Sequence, residues 1–152
     1  MAFAAPALPF IQAGTAIVAG RQASAVGKYN QAIQNRNAEV LEQEGELIEK
    51  QKEFDIARFD QQFSALQGQT RTNVLFSGAE LSGSGLRILR QNAEQAEIEK
   101  DIIDYNAKIG KRRKDEEANF ARMSGSLARQ QAKAKEIGYY AQAGTSLLKG
   151  FG

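Results

Sequence analysis

The chain has 152 residues, enough for one ordinary domain, and its 20 lysines and arginines against 18 acids leave a net charge of +2. It contains no cysteine and no histidine, which excludes disulfides and thiolate chemistry and removes the usual general base and the commonest metal ligand. We therefore predict a protein that is not an enzyme and binds no metal or cofactor. The net charge alone is too small to indicate nucleic-acid binding.

Both ends of the chain are apolar. Residues 1–20 carry no charge, and residues 137–152 carry only Lys149. Neither end is long enough to cross a bilayer alone, since a helix from Pro9 to Gly20 covers about 18 Å of a core about 30 Å thick. The N-terminus also lacks the positive region and the cleavage site of a secretory signal.

Between these ends the composition favours long helices, with turn-forming residues at the centre. The chain divides into five predicted segments. They are an apolar N-terminal segment (1–22), a first long helix (23–67), a central turn region (68–85), a second long helix (86–136) and an apolar C-terminal segment (137–152). Ser84 is the candidate N-cap of the second helix.

Apolar residues recur every seven positions in both predicted helices, the spacing of a helix–helix seam. One shallow contact within a hairpin cannot bury both seams, so we expect the protein to form a multimer, with a cyclic arrangement favoured. The predicted oligomer seam consists of Val26, Ile33, Val40, Leu47, Phe54, Phe120 and Leu127. Leu148 continues the second seam.

The central region contains a short apolar run, residues 73–76, which periodicity leaves open as a strand or as a plug for a neighbour's groove. The following Ser-Gly-Ser-Gly run, residues 82–85, is not a phosphate-binding loop because no lysine follows at the required spacing. We expect the chain to fold back at Gly78–Gly85.

Two copies of Gln-Ala-Gly-Thr, at residues 12–15 and 142–145, would lie level in a hairpin. In that register the basic run 108–114 faces the acidic stretch 42–49, and the acids of 97–104 face Lys50, Lys52 and Arg58. Opposite charges therefore meet in both blocks, although an exposed ion pair contributes only about 0–1 kcal/mol.

Two charged motifs have a functional and a structural interpretation. Residues 111–114 (Lys-Arg-Arg-Lys) could contact phosphates, but the acids that follow favour a solvated or ion-paired helix face. The carboxylate-rich run 39–60 could hold paired catalytic carboxylates, but no glycine-rich loop or aromatic pocket accompanies it. We favour the structural interpretation for both.

The apolar ends would meet at one tip of the hairpin, buried either in an oligomer core or in a membrane. Small residues there permit close helix approach, and tyrosines lie where an interfacial belt would lie. The predicted membrane or tip-packing residues are Phe3, Leu8, Phe10, Ile11, Ile17, Val18, Tyr139, Tyr140, Leu147, Leu148 and Phe151. The predicted fold is all-α: a long antiparallel helical hairpin with an apolar tip, coiled-coil-like, assembling into a multimeric ring or tube.

Residues 73–106 resemble the internal virion proteins of short-tailed bacteriophages. In that family a Ser-Gly-Ser turn precedes a Leu-x-x-Leu helix start and an alanine-rich acidic helix that ends in Tyr-Asn. The matching positions in this chain are Ser82-Gly83-Ser84, Leu86 with Leu89, Ala93–Glu97 and Tyr105-Asn106. The resemblance is close over about 35 residues and loose over most of the chain.

The resemblance implies a DNA-ejection protein, packaged inside the capsid near the portal and placed in the host cell envelope after ejection. It implies a homo-oligomer that works with other core proteins and the portal or tail, forms part of a channel through the outer membrane, and lets DNA pass without sequence-specific binding. Two alternatives remain: a purely structural virion, tail or portal-core component, and a bacterial secretion translocator or pore-forming toxin.

Overall fold

Two long helices make up the described part of the chain. The computed structural model describes the backbone of residues 7–76 and 83–151, and the side chains of residues 11–76 and 85–149. Helix α1 runs over Ala7–Phe76 and helix α2 over Ser84–Phe151, and the two pack against each other as a hairpin. The predicted all-α hairpin is confirmed, whereas assembly into a ring or tube remains a prediction.

Helix α1 extends beyond the predicted limits of 23 and 67 at both ends. The helix continues through the turn-favouring residues after position 67, and within it the hydroxyls of Thr70 and Thr72 donate to the carbonyls of Leu66 and Gly68, four residues back (both 2.9 Å). Residues 73–76 belong to this helix, so the possibility of a strand there was wrong.

Gly83, rather than Ser84, is the N-cap of α2. Its carbonyl accepts the first hydrogen bond of the helix, from the backbone N–H of Arg87 (3.3 Å), and its φ of +73° lies in the region that favours glycine. Ser84 is the first helical residue. Residues 77–82, where most of the predicted fold-back lies, are outside the described residues.

The hairpin consists of two compact units, which we treat separately. Unit 1 contains Met1–Val40 and Glu117–Gly152, and unit 2 contains Leu41–Glu116. Each unit pairs a segment of α1 with a segment of α2.

Small residues form the helix–helix contact of unit 1. A Cβ placed on Gly27 would lie 2.2 Å from the Cβ of Ala132, and one placed on Gly125 would lie 2.9 Å from the Cβ of Gln34. These distances mean that the two backbones approach too closely for larger side chains. Six alanines of this unit are buried: Ala13, Ala16, Ala38, Ala118, Ala121 and Ala143.

The two Gln-Ala-Gly-Thr copies lie level in unit 1, as predicted. Ala13 and Ala143, the equivalent alanines of the two copies, belong to one buried cluster. The threonine of each copy donates its hydroxyl hydrogen to the carbonyl three residues earlier, Thr15 to Gln12 (3.0 Å) and Thr145 to Gln142 (2.9 Å). The repeat therefore has the same local structure in both helices.

Ion pairs between the helices dominate unit 2. Lys111 binds Glu49, Lys114 binds Glu44 at 2.7 Å, and Lys52 binds Asp104 at 3.2 Å. A further pair that the sequence analysis missed joins Lys100 to Asp60 at 3.0 Å. The predicted opposition of charge blocks is confirmed, and each pair lies within one helical turn of the predicted register.

Candidate functional site

The predicted oligomer seam lies on the surface of the hairpin. Its residues are 40% (Ile33) to 72% (Phe54 and Phe120) exposed, and none contributes to the buried core. The exposed fractions of the others lie between these values: Val26, Val40, Leu47 and Leu127. The seven-residue repeats of large apolar side chains thus run alongside the helix–helix contact rather than within it.

A contact position of unit 1 is a residue, such as Gly27 or Ala132, at which the two helices touch. The residue before a contact position and the residue after it lie on opposite sides of the hairpin. Neighbouring residues in a helix are about 100° apart, so Val26 and Lys28 flank Gly27, and Gln131 and Lys133 flank Ala132. Val26, Gly27, Gln131 and Ala132 line one groove of about 410 Å³. Hence residues that precede a contact position, on either helix, lie on the side of the hairpin with this groove. Residues that follow a contact position lie on the opposite side.

This rule places both stripes of unit 1 on the same side. Ile33 precedes Gln34, which contacts Gly125, and Leu127 precedes Ala128, which lines the groove beside Val26. Phe120 precedes the buried Ala121. We call the following set the apolar face of unit 1: Val26, Ile33, Val40, Phe120 and Leu127.

In unit 2 a large apolar residue of the predicted seam also lies beside the contact between the helices. Leu47 lines a groove with Ile48, Gln51 and Asn106. A second groove of this unit, about 720 Å³ in volume, lies beside Phe59 and Phe63, whose rings stack with centroids 6.2 Å apart.

The predicted tip residues separate into packed and exposed groups. Ile17 and Leu147 pack against the alanine cluster, whereas Ile11, Val18 and Leu148 are 61%, 64% and 76% exposed. Tyr139 and Tyr140 lie against the backbone of Gly20, within 3.4 Å of a Cβ placed there, and remain partly exposed. Phe3 lies outside the described residues, and the side chains of Leu8, Phe10 and Phe151 are not among those described.

At the tip the sequence indicated close approach through small residues, and Ala13, Ala16 and Ala143 are buried there. Further along the hairpin, sequence reasoning missed the small residues that form the contact between the helices. Their signal was present, because small residues recur every seven positions. The relevant sets are Gly20 with Gly27, Ala38 with Gly45, and Ala118 with Gly125 and Ala132. The glycines at 45, 110 and 125 also lie at helix–helix contacts.

The ion pairs of unit 2 shift the pKa values of their members. A hydrogen bond from Lys111, together with its charge, lowers the pKa of Glu49 and raises that of Lys111. Hydrogen bonds from Lys108 and Lys52 lower the pKa of Asp104. Each shift favours the charged forms. The pairs Glu49–Lys111 and Asp104–Lys52 join the two helices, whereas Asp104–Lys108 lies within α2.

The described residues contain no group of three or more acids placed to hold a metal ion. Nowhere in residues 7–76 and 83–151 does a helix carry an apolar stretch of the length that crosses a membrane.

In comparisons with known proteins, no family model, no curated protein and no solved structure matches this chain.

Proposed function

We propose that this chain is a non-catalytic, self-assembling helical hairpin that serves as an internal virion protein of a short-tailed phage and helps its genome leave the capsid. The observation that carries the proposal is the apolar face of unit 1, where five large side chains on two helices share one exposed side. Contiguous apolar surface of this kind marks an interaction site. The resemblance of residues 73–106 supplies the biological setting.

Copies of the same chain are the proposed occupants of this face. A seven-residue apolar repeat matches the surface of another helix with the same repeat, and each copy carries two such stripes. If the face of one copy packs on a different surface of the next, the contact is head-to-tail, and a rotation that closes gives a ring. A ring of hairpins would leave a central passage for DNA, with other core proteins and the portal or tail as neighbours.

The tip is the part of this assembly that we propose enters the host cell envelope. Ile11, Val18 and Leu148 present exposed apolar side chains close to the alanine cluster. A single hairpin has no spanning helix in its described part, so a membrane role requires several tips together. The outer membrane is thinner than average, which reduces the depth that such tips must cover.

A purely structural role is the second candidate. The same lack of a spanning helix in the described residues favours it, as does the alanine packing at the tip, which serves helix–helix contact without lipid. In this alternative the chain lines a portal or tail lumen, and the exposed tip residues contact other virion proteins.

Dye release from lipid vesicles distinguishes the two candidates. Wild-type protein is compared with Val18→Arg, because Val18 is exposed whereas Ile17 packs inside the tip and its substitution would disturb the hairpin. Asn35→Arg adds the same charge at an exposed position away from the tip and serves as the matched control. A lipid-facing arginine at the midplane costs about 2–4 kcal/mol per copy.

The ejection-channel proposal expects the wild type and Asn35→Arg to release dye and Val18→Arg to release much less. Vesicle binding without any difference among the three proteins, or no binding at all, would leave the structural candidate in place.

A further inference from the structure

The net charge of +2 conceals a strong separation of charge between the two units. Unit 1 has eight lysines and arginines against three acids, a net charge of +5, whereas unit 2 has twelve against fifteen, a net charge of −3. The net charge of the whole chain is too small to indicate nucleic-acid binding, but the net charge of unit 1 is large enough to attract a polyanion.

Four of the eight basic residues of unit 1 lie on the side opposite its apolar face. Each immediately follows a contact position: Arg21 after Gly20, Lys28 after Gly27, Arg129 after Ala128 and Lys133 after Ala132. By the rule established above, they lie across the hairpin from Val26 and Gln131. All four are exposed, and we call them the basic face of unit 1.

Little negative charge compensates this basic face. In the described part of the chain no carboxylate lies within ion-pairing distance of Arg21, Lys28 or Lys133, and Arg129 donates to the neutral amide oxygen of Gln31 (2.9 Å). Glu39, which follows the buried Ala38, is an acid on this side. Glu136, whose backbone carbonyl lies beside Gly20, accepts a hydrogen bond from the Tyr140 hydroxyl (3.1 Å). In unit 2, by contrast, lysines pair with acids across the helices.

We propose that the basic face of unit 1 binds the phosphate backbone of double-stranded DNA without reading its sequence. Exposed lysines and arginines on helices make such contacts, and DNA carries a negative charge about every 1.7 Å along its axis. The inference rests on the proposed function, in which DNA passes the assembled protein, and it adds that the passing DNA contacts this face.

The basic face extends along the hairpin, and this extension favours DNA over an anionic membrane as its partner. Arg21 and Lys28 are seven residues apart, about 10 Å along α1. Arg129 and Lys133 lie beside this stretch on α2, where Ala132 faces Gly27. A headgroup layer is only about 5–8 Å thick on each side of the bilayer core, so a hairpin entering by its tip would place only part of this face at that depth. A rod-like polyanion beside the hairpin can contact its whole length.

The test measures binding of a fluorescently labelled DNA duplex of mixed sequence by anisotropy at several salt concentrations. Three full-length proteins are compared: the wild type, a variant with Arg21→Gln, Lys28→Gln, Arg129→Gln and Lys133→Gln, and a control with Lys50→Gln, Arg58→Gln, Arg112→Gln and Arg113→Gln. The control removes the same charge from exposed residues of unit 2. Sedimentation of the same samples reports assembly separately.

We expect the wild type and the unit 2 control to bind with steep salt dependence. The unit 1 variant should bind more weakly, and the slope of log K against log salt should become shallower by about 3 to 4, since each phosphate contact contributes about 0.9. Equal weakening by the control variant would overturn the inference, as would preference of the wild type for vesicles of phosphatidylcholine and phosphatidylglycerol over the duplex at equal salt.

Assembly and DNA binding can fail independently. A wild type that assembles but does not bind the duplex contradicts this inference and leaves the proposed self-assembly intact. A wild type that remains monomeric contradicts the proposed assembly, whichever ligand it binds.

Discussion

At the scale of single residues, glycine and alanine determine how closely the helices approach in unit 1. Glycine inside a helix costs about 1 kcal/mol relative to alanine, so its presence at a contact needs a compensating gain. At Gly27 the gain is the close approach of α2, where a Cβ would overlap that of Ala132. At Gly138 nothing lies within 4 Å of the Cβ position, and the cost has no visible compensation.

Gly27→Ala and Gly138→Ala should therefore have opposite effects on stability. The first forces two β-carbons apart along a rigid contact and should destabilise the protein by about 1–3 kcal/mol. The second should stabilise it by up to about 1 kcal/mol. Urea unfolding followed by circular dichroism measures both. Stabilisation by Gly27→Ala would show that the helices of unit 1 do not approach as closely as described.

The ion pairs of unit 2 predict how stability depends on pH. Because Glu49 and Asp104 have lowered pKa values in the folded protein, they contribute stability above their unfolded pKa values and lose it as the pH falls through the folded ones. The thermal unfolding midpoint should thus fall as the pH drops below about 4. Glu49→Gln should make this decrease shallower, and high salt should do the same.

Glu53→Gln is the matched control for the acid experiment. It removes an exposed acid of the same helix that belongs to none of the interhelical pairs described above. Its pH profile should follow that of the wild type. A profile for Glu49→Gln that is indistinguishable from this control would contradict the contribution assigned to the Glu49–Lys111 pair.

At the scale of the helices, sequence reasoning predicted the hairpin and its register but not which surface forms the contact. The charge blocks and the repeated tetrapeptide specify the register of the two helices. Opposite charges must face each other, and the two copies of the tetrapeptide must lie level. Periodicity shows that Val26, Ile33 and Val40 share a stripe, but it does not show whether that stripe is buried. The sequence assigned the stripes of large apolar residues to contacts between copies, and within the hairpin close packing uses the small residues beside them.

The sequence placed the end of α1 too early, at residue 67 instead of Phe76. Thr70 and Thr72 favour turns statistically, yet their hydroxyls bond to carbonyls of the preceding turn and the helix continues. Whether a threonine lies in a turn or inside a helix depends on how the rest of the helix packs. The local sequence does not contain that information.

A disulfide test addresses the pairing of the two helix ends. Ala13→Cys with Ala143→Cys should form an intramolecular disulfide on oxidation, because both alanines are buried in one cluster. Gly14→Cys with Gly144→Cys, one residue further along each helix, should not, since open space surrounds both positions. Non-reducing gel electrophoresis with mass spectrometry separates intramolecular from intermolecular products. Crosslinks only between chains would contradict the closed hairpin.

In the whole molecule, unit 1 has two chemically different sides. One side carries large apolar residues and the other carries lysines and arginines, and the small residues of the contact lie between them. The first side is the proposed surface for other copies, and the second is the proposed surface for DNA. The two surfaces can be changed independently, since Val26 and Lys28 flank the same contact glycine.

Sedimentation velocity of three proteins measures whether copies of the chain associate through the apolar face. Ile33→Asp with Val40→Asp places two charges on the apolar face, whereas Ala25→Asp with Asn35→Asp places the same two charges at exposed positions of α1 that do not belong to the apolar face. Circular dichroism confirms that all three remain helical. We predict that the wild type and the Ala25/Asn35 variant sediment as one defined oligomer and that the Ile33/Val40 variant sediments as a folded monomer. A wild type that stays monomeric at high concentration, or an oligomer that survives the Ile33/Val40 substitutions, would contradict the account.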